Sequence, residues 1–274
     1  MKETASKSLL IERRDASLVL TLNRPGKRNA LSPEIYDGLL NGLELAQAED
    51  SIANIVIQGA EGFFCAGGDL NALAERAALP RDKREQRIQA LHDVVRAVRT
   101  CRKPVIAAIE GGAAGAGASL ALAADMIVAA TDAYFRMAYV KVGLVPDGGA
   151  TASLLRALPP QKVAEIFLLG EPISALRLAQ FGIVNRIAAT GGALGLALKL
   201  GEELATGALG AQSEILAMLD SAADLAFDDQ MDREKQLMAS ALGGAEAAEG
   251  IAAFMKRRKP EFDGLAATAS NCSG

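Results

Sequence analysis

The sequence predicts an α/β protein, a core of buried strands followed by a helical C-terminal part. Three observations predict it. A short apolar run, a Gly/Ala-rich turn and a helix follow one another twice, at 55–76 and at 105–124. Half of the 274 residues are hydrophobic, enough to fill a large core. From Gln161 onward the apolar spacing is helical nearly throughout. The repeated strand, turn and helix read as a weak internal repeat of the ββα kind.

The elements follow in order. Leu9 to Glu12 and Leu18 to Leu22 read as a hairpin turning near Asp15. Asn23 to Leu31 is a basic, turn-rich loop. Ser32 is placed to cap a helix whose first residue is Pro33, with Ile35, Leu39, Leu43 and Ala46 on its apolar face. Ile55 to Gln58 is a short strand, and Gly59 to Asp69 is a Gly-rich turn leading into a helix from Leu70 to about Arg76. Arg81 to Arg87 is a polar stretch, a solvated loop or a helix start. Ile88, Leu91, Val94, Val95 and Val98 mark an amphipathic helix. Val105 to Ile109 is a buried strand, Gly111 to Gly117 a tight turn, Ala118 to Ala124 a buried helix, and Met126 to Ala130 another strand. Ala133 to Pro146 has no single pattern. Asp147-Gly148-Gly149 turns into a helix near Thr151, and helices follow at about 161–169, 174–181, 193–205, 211–226, 230–242 and 244–256.

Composition narrows the function. The net charge is −4 and no basic stripe is interleaved with aromatics, which argues against nucleic acid as a partner. No long uncharged apolar stretch suggests a membrane span, and the first ten residues lack a signal-like apolar run, so a cytoplasmic protein is expected. Cys65, Cys101 and Cys272 are too few and scattered for a disulfide framework. With one histidine, His92, a zinc site is not expected, and a histidine-dependent triad could be built only there. The chemistry lies in the turns. A tight Gly/Ala turn at a helix start leaves backbone N–H groups unpaired near the positive end of the helix dipole. Such a turn can hold a phosphate or a carbonyl oxygen that becomes negative, or it can be a tight crossover. Asp147 reads as a turn or N-cap aspartate. Gly112, Gly115 and Gly117 follow a strand, but Leu120 stands where a dinucleotide fingerprint needs its third glycine.

Five stretches in order resemble the crotonase superfamily of acyl-CoA enzymes: NRPGKRNALS (Asn23 to Ser32), CAGGDLN (Cys65 to Asn71), IEGGAAGAGASLALAADM (Ile109 to Met126), VGLVPDGGAT (Val142 to Thr151) and AAFMKRRKPEF (Ala252 to Phe262). The resemblance covers about residues 8 to 264. It implies a crotonase-like ββα spiral core binding acyl-CoA over 1–200 and a helical trimerisation region over 201–264, while the last ten residues, 265–274, read by their own composition as a disordered tail. It also implies that the N–H groups of Gly68 and Ala116 hold the thioester oxygen. Lys27, Arg28, Ala30, Ala66, Asp69 and Leu70 would line the path of the coenzyme A nucleotide. Phe254 and Arg257 match positions that reach a neighbour's site in homotrimers or hexamers. The coenzyme A thioester is the substrate, so no separate cofactor and no metal are expected.

Typical hydratases of this superfamily carry two glutamates where this chain has Ser119 and Tyr139. Both are expected among the substrate-binding residues, but a hydroxyl and a phenol with a pKa near ~10 are poor general bases. Glu110 ends its strand and is expected to point away. Asp147 remains, and the chain resembles the branch containing ring-1,2-epoxyphenylacetyl-CoA isomerases and Δ3,Δ2-enoyl-CoA isomerases, where an Asp here moves the proton. The resemblance therefore implies an enoyl-CoA isomerase with one Asp as acid and base. An enoyl-CoA hydratase is the alternative. An aryl-CoA dehalogenase-like hydrolase, which would pair Asp147 with His92, is a minor one.

Overall fold

The computed structural model describes residues 7–265. Its nine strands are β1 (Leu9–Arg14), β2 (Ser17–Leu22), β3 (Asn54–Gly59), β4 (Val105–Ile109), β5 (Gly112–Ala114), β6 (Met126–Ala130), β7 (Tyr134–Arg136), β8 (Pro172–Ser174) and β9 (Arg186–Ala188). The hairpin β1–β2 opens a sheet ordered β1-β2-β3-β4-β6-β9, parallel from β2 onward. A smaller sheet, β5-β7-β8, lies beyond the ends of β4 and β6.

Parallel strands bury both faces, so they need cover on each side. Along β3, Ile55 and Ile57 join one apolar cluster while Val56 joins another, as the two-residue period requires. The larger cluster lies under α1 (Pro33–Ala48), α3 (Arg81–Arg99) and α4 (Ala116–Ala123). The smaller one, with Val19, Ile106, Ala108 and Val128, is closed by Ala193 and Ala197 of α8 (Ala193–Ala205). The expected division near residue 200 falls within α8.

In α1, Ile35, Leu39, Leu43 and Ala46 are buried. Ser32 stands at the N-cap with extended backbone, but its hydroxyl makes no capping bond. The polar stretch from Arg81 begins α3 rather than forming a loop. Its residues are good helix formers, and Arg81 pairs with Glu85 one turn on at 2.8 Å. The reading of near-continuous helix after Gln161 is corrected at β8 and β9, three-residue strands too short to carry a period. The remaining helices are α2 (Leu70–Ala77), α5 (Ala150–Ala157), α6 (Pro160–Leu169), α7 (Ala175–Gln180), α9 (Leu209–Ser221), α10 (Phe227–Leu242) and α11 (Ala245–Met255). Within α9 to α11 only Ala253 is buried. The tail expected over 265–274 lies outside the described residues beyond Leu265. Among the described residues, no helix is long and apolar enough to cross a membrane.

Candidate active site

Two turns are laced together at the carboxyl ends of β3 and β4. Phe64 N–H donates to Glu110 O, Cys65 N–H to Gly112 O and Ala114 N–H to Cys65 O, at 2.9, 3.1 and 2.9 Å. The lacing brings Gly67 against the start of α4. A Cβ on Gly67 would sit 2.6 Å from Ala114 O and 3.2 Å from Ala116 N, and its φ is +90°, so no other residue fits without strain. Gly115, at φ 48° and ψ −126°, turns the chain into α4. Ala116 is the first residue of that helix, where an N–H has no partner within the helix. Among the described residues, neither Gly68 N–H nor Ala116 N–H is hydrogen bonded. Two free backbone donors on touching turns, one at a helix N-terminus, suit an oxygen that gains negative charge.

Beside α4 stands the carboxylate of Asp147. Ser119, in the second turn of α4, is almost fully buried. Its hydroxyl lies 3.0 Å from the Tyr139 phenol oxygen, 3.0 Å from Asp147 O and 3.3 Å from Gly115 O. Tyr139, in a short 3-10 helix over Ala138–Val142, donates its hydroxyl to Asp147 Oδ1 at 2.9 Å. Gly148, at φ +60°, lets the Asp147 turn close onto α4, since a Cβ there would come within 2.8 Å of Ser119 Cβ. Burial raises the Asp147 carboxyl above the usual aspartate range, against the Tyr139 hydrogen bond and the charges of His92 and Arg76. Burial, with the Asp147 charge second, also pushes the Tyr139 phenol up, so it stays protonated and remains a donor. Tyr36, raised to about 12 by burial, completes this wall beside Arg76.

The basic loop folds over the first turn. Arg28 and Asn29 take left-handed conformations at φ 48° and 55°. Asn29 donates to Ala60 O and Phe63 O at 2.9 and 2.6 Å, and Arg28 O accepts from Ala66 N–H at 2.9 Å. Asp69 accepts from Lys27 Nζ at 2.6 Å and from Arg24 Nη2 at 3.1 Å, and caps α2 through Asn71 N–H. The Lys27 hydrogen bond comes first among the causes that hold the Asp69 carboxyl down at about 2. Arg28 lies over the Phe63 ring at 5.7 Å.

The structure thus gathers Lys27, Arg28, Ala30, Ala66, Gly68, Asp69, Leu70, Ala116, Ser119, Tyr139 and Asp147 around these turns. Ala30 is buried and Leu70 exposed. Phe254, 84% exposed, and Arg257, at φ 53°, lie at the end of α11 and are not tied to these residues within the chain by any hydrogen bond or ion pair among the described residues. Glu110 points away, accepting from Gly191 N–H and Ala193 N–H at 3.0 and 2.8 Å. Sequence reasoning missed Arg24, Arg76 and Tyr36. Only the position of Arg24 beside the Pro25 turn offered a signal. Among the described residues, no three His, Cys, Asp or Glu side chains gather as a metal would require.

Comparison with known proteins gives the arrangement its context. Residues 12–265 match the family described as enoyl-CoA hydratase/isomerase. The chain is 35% identical to the 2,3-dehydroadipyl-CoA hydratase of Escherichia coli, over 93% of this chain and 98% of that protein. It is 34% identical to the 1,2-epoxyphenylacetyl-CoA isomerase of the same organism, over 90% and 95%. The crystal structure of an enoyl-CoA hydratase from Polaromonas sp. JS666 superposes with a TM-score of 0.90 at 41% identity, over 92% of this chain and 98% of that one. A crotonase-like core, two free donors on touching turns and matched length throughout lead to one conclusion: the chain is an enzyme of the enoyl-CoA hydratase/isomerase family.

Proposed function

We propose that the protein is an enoyl-CoA isomerase that moves a double bond, or rearranges a ring acyl group, using Asp147 as its one proton carrier. One observation carries this reading: the groups at 119 and 139 are spent on each other and on Asp147. Ser119 lies within hydrogen-bond distance of Tyr139, and Tyr139 donates to the Asp147 carboxylate, so no pair of acidic groups stands ready to split water. A single carboxylate suffices for a 1,3-proton shift. The thioester oxygen would rest on Gly68 N–H and Ala116 N–H. Asp147 would take the α-proton of a 3-enoyl thioester, leaving a dienolate whose charge the two donors stabilise, and would return the proton at the far carbon. The raised affinity of Asp147 for a proton suits both halves of this cycle.

Similarity to an epoxyphenylacetyl-CoA isomerase supports the reading. Slightly higher similarity to a dehydroadipyl-CoA hydratase, 35% against 34% identity, keeps hydration of 2-enoyl-CoA as the second reading. The test is a panel of 3-enoyl-, 2-enoyl- and arylacetyl-CoA substrates with parent and Asp147→Asn. The isomerase reading expects double-bond migration in the parent. In the variant it expects acyl-CoA binding to persist while turnover and α-hydrogen exchange with deuterated water fall by about 10²–10⁴-fold. Faster hydration of 2-enoyl-CoA than migration of a 3-enoyl bond would reverse the ranking.

The loop residues Lys27, Arg28 and Ala30, with Ala66, Asp69 and Leu70, would border the coenzyme A nucleotide. Phe254 and Arg257 would reach a neighbouring subunit, because Phe227, Met238, Phe254 and Met255 leave large apolar surface uncovered on α10 and α11. A trimer or hexamer by light scattering is the expected result, and a monomer at micromolar concentration would count against it.

A further inference from the structure

We infer that Tyr139, itself held by Ser119, is a positioning residue that fixes Asp147 with one oxygen occupied, so that only Oδ2 exchanges protons with the acyl chain. The inference rests on the isomerase reading and adds to it how the base is aimed and kept charged. The geometry is specific. The phenol lies 2.9 Å from Oδ1, donor to acceptor, and no other side chain donates to the carboxylate among the described residues. A carboxylate with one oxygen fixed presents the other in a single orientation, which a proton carrier serving two carbons needs. The phenol is held in turn by Ser119, whose hydroxyl sits 3.0 Å from it on a buried helix turn and donates to it while the phenol donates to Asp147. Donation from Ser119 to the phenol and from the phenol to Oδ1 makes a chain that ends on the carboxylate, and the Asp147 backbone carbonyl is the alternative acceptor for the same Ser119 proton.

The same bond tunes charge. Asp147 is faced by His92 from α3, by Arg76 from α2, by Tyr36 across that wall, and by Tyr139 and Ser119. Burial favours the protonated acid, while the Tyr139 hydrogen bond favours the carboxylate more than His92 or Arg76 does. The phenol is held as a donor by its own burial. Removing it leaves desolvation opposed only by His92, Arg76 and the local backbone, so the base should ionise at higher pH.

The experiment measures kcat, KM and α-hydrogen exchange against pH for the parent, Tyr139→Phe, Ser119→Ala and Asp147→Asn. Tyr139→Phe keeps the ring and removes one hydroxyl. Its acidic limb, where the rate rises as the base ionises, is expected to move alkaline by about one pH unit or more. Its kcat on that limb, below the midpoint, should fall about tenfold and recover at higher pH, with KM little changed. Ser119→Ala should move the limb the same way by less, and it carries the test if Tyr139→Phe does not fold. A limb that stays in place in a folded variant, or a loss of kcat equal at every pH, overturns the inference. Asp147→Asn separates this from failure of the isomerase reading. If it keeps exchange, Asp147 is not the base. If it abolishes exchange while both hydroxyl variants leave the limb unmoved, only the positioning role fails.

Discussion

The two turns that meet at Gly67 and Ala116 are held by different forces. The second opens into α4, where seven of the eight residues from Ala116 to Ala123 are buried. Apolar packing fixes it from Ala116 onward, and the carboxylate just before it, Glu110, binds backbone N–H groups rather than a cation. The first turn opens into α2, a helix with no buried residue, and is held by the Asp69 carboxylate between Lys27 and Arg24. Packing gives one position and resists displacement. A half-exposed ionic clamp is weaker and yields to salt. One donor is therefore set by the core, and the other is set by a clamp that can adjust where the polar half of a substrate would enter.

The largest effect should come from the rigid side. Ala116→Pro deletes one backbone donor at the first position of a helix and strains the helix start after Gly115, so folding is checked first by circular dichroism. Turnover should fall by about 10²–10³-fold. Unchanged kcat in the folded variant would remove Ala116 from the site. Next is the contact between the turns. Gly67→Ala forces a Cβ within 2.6 Å of Ala114 O at φ +90° and should cost about 1–3 kcal/mol in urea denaturation. Parent-like stability would mean that the two turns are not tightly joined.

The smallest effect belongs to the clamp. Asp69→Asn should cost at most about 1 kcal/mol, because the Lys27 side chain is 50% exposed and water screens the pair. The Asp69 carboxyl is lowered to about 2 in the folded protein, so its contribution is full above the ordinary aspartate range and is lost as pH falls through about 2. The stability gap between parent and Asp69→Asn should narrow with added salt and close toward pH 2. A gap indifferent to both would make the clamp a packing contact and erase the contrast between the turns.

Much of this architecture was legible because it is periodic or glycine-marked. The buried run Val105 to Ile109, the stripe Ile35, Leu39, Leu43 and the turns at Gly68 and Gly115 follow from local rules. The small sheet was not legible. Strands such as Gly112–Ala114 and Pro172–Ser174 are three residues long and are fixed by pairing, not by pattern. The charged start of α3 left loop and helix both open, since polarity alone does not separate them. In the site, Asp147 stood out beside its glycines, but its partnership with Tyr139 did not. The two are joined through a 3-10 helix and an irregular segment that no periodicity describes. Arg24 and Arg76 were hidden because a surface arginine looks the same in sequence whether or not a carboxylate waits for it.

Glu110 has a wider consequence. It closes β4, the strand that delivers the second turn, and its carboxylate grips two N–H groups at the start of α8, on the opposite face of the sheet. The height of the Ala116 donor is thus surveyed from a landmark behind the sheet as well as from the core in front. Freeing the start of α8 would therefore unpin the end of β4 from which the second turn leaves. The face of the sheet opposite the two free donors thus shares in fixing where those donors stand.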